Sequence, residues 1–110
     1  MTSKISTYDR LLEAEARQRR HPYWGPIHRQ LDQIEDSKPQ HAHEVIALLG
    51  GAKGSAFFPG GSDRELLGSL HEAGWETSEY HASYFWTAAH PTTGDSLEYI
   101  EGDVYDRTQG

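Results

Sequence analysis

The carboxylates and aromatic side chains that share the last third of the chain are the groups best placed to do chemistry. From Trp75 to Asp106 there are seven carboxylates (Glu76, Glu79, Asp95, Glu98, Glu101, Asp103, Asp106) and no lysine or arginine. Trp75, Tyr80, Tyr84, Phe85, Trp86, Tyr99 and Tyr105 are interleaved with them. Carboxylates spaced along extended chain, with aromatics between, suit a basic protein surface. Charge complementarity speeds the encounter and sets specificity, and Tyr and Trp supply anchors. The same array of negative charge imitates a phosphate backbone, which extends the reading to a decoy for a nucleic-acid-binding protein. Glu79, Glu98, Glu101, Asp103, Tyr99 and Tyr105 are the candidate partner-binding residues. The plainer reading is a solvated sheet face whose charges guard an edge strand against aggregation.

A second constellation has the opposite charge. Arg17-Gln18-Arg19-Arg20-His21-Pro22-Tyr23-Trp24 is followed closely by His28-Arg29. Cationic groups beside aromatic rings can grip single-stranded nucleic acid by charge and stacking. Arg17, Arg19, Arg20, Tyr23 and Arg29 are the candidate anion or nucleic-acid contacts. The patch is small, and the rest of the chain would repel phosphate. It could equally dock on the acidic face of the same or another chain, which predicts a homo-oligomer.

The remaining chemistry is sparse. His41-Ala42-His43-Glu44 is the densest of the histidine clusters. Alternate histidines on a strand would share a face and could hold a metal. On a helix, residues two apart point away from each other, and helix is the reading favoured for this segment. Gly50-Gly51-Ala52-Lys53-Gly54-Ser55 lacks the order of a phosphate-binding loop. The Ser62 helix start is the better anion site, though Glu65 already fills part of it. His81 and Ser83 sit two residues apart on one strand face, too far for a direct hydrogen bond. No metal, cofactor or catalytic residue is assigned. A small metal- or ligand-dependent enzyme lined by His41, His43, His81 or His90 remains the enzymatic alternative.

The totals set the frame for these sites. Residues 1–30 carry six basic groups against three acids, +3, and residues 31–110 carry four against fourteen, −10. Such asymmetry selects partners through the long-range field. A chain of 110 residues, 35% hydrophobic, supports one domain with a modest core. There is no cysteine, which excludes disulfides and thiolate chemistry. No apolar run reaches the ~20 residues of a membrane span, and the N-terminus has no apolar stretch of a secretion signal. A cytoplasmic protein without membrane contact is the expectation.

The elements that must position these residues follow from periodicity and punctuation. Ser6 or Thr7 begins a helix over residues 7–20, with Asp9 in its first turn and Glu13–Arg17 and Glu15–Arg19 at i,i+4. His21-Pro22 ends it. Trp24, Ile27, Leu31 and Ile34 make the apolar stripe of a second helix beginning near Pro26 and ending near Asp36. Residues 41–49 read as a third, stopped by Gly50-Gly51, with a short strand at Val45–Leu49 as the competing reading. Residues 50–61 read as a loop. Ser62-Asp63-Arg64-Glu65 is a capping box opening a fourth helix, which Gly74 terminates.

From Trp75 the period becomes two, around a turn at Pro91–Asp95, and predicts a β-hairpin over about residues 76–105. The expectation is an α+β domain: a helical part over about 6–74, then an antiparallel hairpin over about 75–106 packed on it. Trp24, Ile27, Leu31, Ile34, Ile46, Leu49, Leu66, Leu67, Leu70, Tyr84, Trp86 and Ile100 are its expected core. The expected function is a non-enzymatic interaction module that binds a basic protein surface.

Overall fold

The computed structural model describes residues 7–59, 63–78 and 85–109. It is an α+β fold: α1 (Thr7–Arg20), α2 (Trp24–Ser37), α3 (Ala42–Leu48), β1 (Ser55–Phe57), α4 (Asp63–Glu72), β2 (Glu76–Thr77), β3 (Phe85–Ala89), β4 (Ser96–Ile100) and β5 (Asp103–Asp106). The strands form one antiparallel sheet in the order β1-β5-β4-β3-β2.

Four helices form where the pattern places them. α1 runs its predicted length, and of its two i,i+4 pairs Glu15–Arg19 closes at 3.1 Å. α2 starts two residues before Pro26 because the Gly25 amide bonds the His21 carbonyl oxygen. Gly25 also lets the two helices touch: a methyl group there would lie 2.4 Å from the Arg19 carbonyl oxygen. The helical reading of residues 41–49 holds, and a buried carboxylate starts α3: Asp95 Oδ1 accepts the Ala42 N–H at 2.8 Å. α4 ends at Gly74 (φ 99°), with Trp75 N–H donating to the Leu70 carbonyl and Gly74 N–H to that of His71. That pair of bonds is the Schellman pattern expected of a glycine stop. Ser62 of the capping box lies outside the described residues.

The predicted hairpin is the middle of a larger sheet. β3 and β4 pair from Phe85↔Ile100 to Ala89↔Ser96 across the turn at residues 90–95. Three corrections extend it. The expected first hairpin strand is two strands, because Glu76–Thr77 of β2 pairs antiparallel with Ala89 and Ala88 of β3. Ser55–Phe57, expected as loop, is the edge strand β1. It is reached through a tight turn at Lys53-Gly54, where both residues have positive φ (56° and 79°) and Ala52 and Ser55 exchange hydrogen bonds. The expected second hairpin strand is two strands. Ile100 pairs with Asp103, leaving Glu101 and Gly102 as a two-residue loop with φ of 48° and 95°. Those signs define a type I′ turn, whose twist matches that of the strands it joins.

The turn decides which side chains meet. Ala56, Val104, Tyr99 and Trp86 are directly opposite one another across four strands and all face the helices. Trp86 and Tyr99 stack with ring centroids 4.9 Å apart and planes 3° from parallel. α3 packs on β1 and β5, and α4 on β2; α2 lies across α3 and α4, and α1 rests on α2. The core joins Ile27, Leu31, Ile34, Ile46, Leu49, Leu66, Leu70 and Trp86, as expected, with Val45, Phe58, Trp75, Leu97, Tyr99 and Val104. Trp24 and Leu67 pack at its margin. Ile100 is a correction, since it is half-buried on the outer face; Tyr84 lies outside the described residues. Trp75 is held by its indole N–H, which donates to the Pro39 carbonyl oxygen at 2.8 Å.

Candidate partner-binding face of the sheet

One face of the sheet is covered by helices, so the other must carry any strand-borne site. Alternation along each strand places Ser55, Phe57, Phe85, Thr87, Ser96, Glu98, Ile100, Asp103 and Tyr105 there, each exposed or half-buried. The register sorts them into rows. Phe57, Asp103, Ile100 and Phe85 stand side by side across β1, β5, β4 and β3. Ser55, Tyr105, Glu98 and Thr87 form the next row. With strands ~4.8 Å apart, the first row spans about 14 Å. Its two phenylalanines remain 68% and 43% exposed. Glu101 stands exposed at the turn tip beside this row.

The second row is partly closed on itself. Arg107 Nε meets Glu98 Oε1 at 3.0 Å, and the Arg107 guanidinium lies 4.6 Å over the Tyr105 ring. Glu98 and Tyr105 are therefore less available than Glu101 and Asp103, which form no ion pair among the described residues. Tyr99 is a correction to the candidate set. It is fully buried because the Glu101-Gly102 turn reverses the alternation, turning Tyr99 inward while Asp103 and Tyr105 turn outward. Burial, and then the Asp63 and Asp103 carboxylates, push its phenol above the ordinary range. Glu79 lies outside the described residues. Phe57, Phe85 and Ile100 complete the site. Phe57 lies in a segment whose sequence predicts a loop, and Ile100 belongs to the expected core.

The basic candidates lie on α1, on α2 and in the turn between them. Arg17, Arg20, Tyr23 and Arg29 are exposed, and Tyr23 packs edge-on against Trp24 at 4.9 Å. Arg19 is committed within the chain: Nη1 and Nη2 reach Asp32 at 2.5 and 3.2 Å while Nε holds Glu15. This pairing raises the guanidinium further and, against the effect of partial burial, holds the Asp32 carboxyl below its usual range.

The histidine cluster is structural in its contacts. His41 precedes α3 in extended conformation (φ −117°, ψ 142°), so its ring stacks on His43 at 5.5 Å instead of pointing away. Its Nδ1 lies 3.3 Å from Asp95 Oδ2. Burial alone would raise the Asp95 carboxyl, but the Ala42 N–H, the Thr93 hydroxyl and His41 together hold it below the usual range. Among the described residues no group of three or more His, Asp or Glu is arranged to hold a metal ion. Among them, too, no helix is long and apolar enough to cross a membrane.

Comparison with protein-family models, curated proteins and solved structures found no match to this chain.

Proposed function

We propose that the chain is a non-enzymatic interaction module whose outer sheet face takes up a basic surface on another protein. The observation that supports this best is the cross-strand row Phe57–Asp103–Ile100–Phe85, with Glu101 beside it. Exposed aromatics gathered in one strip, beside acids that form no ion pair among the described residues, suit a partner that offers lysine or arginine heads on aliphatic stems. The −10 of residues 31–110 brings such a partner in over a longer range. A partner that ordinarily grips nucleic acid would give the sharper form of the proposal, an inhibitor standing in for phosphate.

The test is a paired capture from host lysate at physiological salt after nuclease treatment. The wild type is compared with a face variant (Phe57→Ser, Phe85→Ser, Glu101→Lys) and a helix variant (Arg17→Ala, Arg20→Ala). The expected result is a basic protein held by the wild type and the helix variant and lost from the face variant. Equal capture by the face variant, or a catch that nuclease abolishes, would refute the proposal.

A further inference from the structure

α1 is helical without burying a single residue, and every position from Thr7 to Glu15 is exposed. Its bonds and closest approaches to α2 come from Arg19, which reaches Asp32 and whose carbonyl oxygen lies against Gly25. A helix of 14 residues is marginal in water on its own, and helices in proteins owe most of their stability to a packed apolar face. α1 has such a face and leaves it bare. Tyr8, Leu11 and Leu12 follow at spacings of 3 and 1, which sets them on one side of the helix. They are 69%, 65% and 45% exposed. They make up three of the six large apolar side chains exposed among the described residues. Of the others, Phe57 and Phe85 belong to the sheet face and Tyr23 to the turn after α1, so the α1 patch is separate.

The charge along α1 selects what covers this patch. Residues 7–15 hold Asp9, Glu13 and Glu15 against Arg10, a balance of −2, while residues 16–20 hold Arg17, Arg19 and Arg20 and no acid, +3. A second α1 running the opposite way sets each acidic half beside the other's basic half, and aligns the two helix dipoles favourably. A parallel partner would set like charges together. A lipid surface fits less well, because helices that lie on membranes carry cations on their polar face, and α1 carries three acids among its four arginines.

We propose that α1 is a dimerisation helix: two copies of the chain pack their α1 helices antiparallel across a twofold axis, through Tyr8, Leu11 and Leu12. Each copy offers the same patch, so the contact closes at two chains. Three apolar side chains per copy fall short of the ~800 Å² per partner of a standard interface, so the association is micromolar and reversible.

The patch is independent of the sheet face, so either proposal can fail alone. The test is sedimentation equilibrium of the full chain from micromolar to millimolar concentration at physiological salt. A reversible monomer–dimer equilibrium is expected. Leu11→Ser with Leu12→Ser should weaken it about tenfold or more. Both side chains are exposed in the single chain, so the dilute variant should melt as the dilute wild type does. Direction is read by cross-linking, which the absence of native cysteine makes specific. A short bismaleimide should join two Ala14→Cys chains at mid-helix but not two Thr7→Cys chains, whose thiols an antiparallel pair holds about 20 Å apart. A monomer throughout, whether or not it binds anionic phospholipid vesicles, would overturn the proposal. So would a dimer equally strong in the double serine variant, or cross-linking at Thr7→Cys in preference to Ala14→Cys.

Discussion

Replacing Glu101 by asparagine should make the domain more stable, although Glu101 is exposed and forms no ion pair among the described residues. Its φ of 48° puts a long, non-glycine side chain in the left-handed region, at the first position of the type I′ turn joining β4 to β5. That conformation costs an ordinary L-residue about 1–2 kcal/mol. Asparagine tolerates it and is a preferred residue at this turn position. The gain should be about 1 kcal/mol, or roughly 4 °C in Tm for a domain near 100 residues. Glu101→Gln is the control: it removes the same charge but keeps an unbranched side chain with no left-handed preference. Urea and thermal melts of the two variants against wild type isolate the backbone contribution. A Glu101→Asn variant no more stable than Glu101→Gln would show that residues 101–102 do not form this turn. The assignment of Asp103 and Tyr105 to the outer face would then fall with it.

Two further predictions concern how the chain is held together. Asp95→Asn should cost about 1–3 kcal/mol at neutral pH, because the Ala42 N–H and His41 lose their carboxylate partner. The folded carboxyl is held below its unfolded value of about 3.9, so its contribution is present above that pH and is lost on acidification through the lower folded value. The variant should therefore show a shallower loss of stability below about pH 4; an unchanged acid limb in urea melts would contradict this. Gly25→Ala should push the end of α1 off α2, since its methyl would sit 2.4 Å from the Arg19 carbonyl oxygen. A loss of about 1–3 kcal/mol and faster amide exchange at residues 16–20 are expected, and wild-type exchange there would refute the contact.

The helices were legible because each carries its own punctuation. Asp9 and the i,i+4 pairs mark α1, the Trp24–Ile34 stripe marks α2, and Gly74 with Trp75 stops α4. The turn at residues 91–95 was equally plain. β1 was not, because three residues among glycines are too short to show a period of two. The tight turns at Lys53-Gly54 and Glu101-Gly102 are hidden for a related reason: neither has the Asn-Gly or Asp-Gly form that advertises a hairpin. Without the second turn the alternation runs unbroken through residue 105, which places Tyr99 on the same face as Asp103 and Tyr105. The acids of the candidate face were visible as composition, but their grouping with Phe57 and Phe85 depends on register, which a strand sequence leaves open.

The central claim is that the outer sheet face, and not the basic helices, meets a protein partner. Hydroxyl-radical footprinting of the captured complex against the free chain tests it most directly, because the two surfaces carry different exposed aromatics. Protection of Phe57, Phe85 and Tyr105 is expected on binding, with Tyr8 and Tyr23 on the helical side as reactive as before. Protection of Tyr8 and Tyr23 with Phe57 and Phe85 unchanged would contradict it.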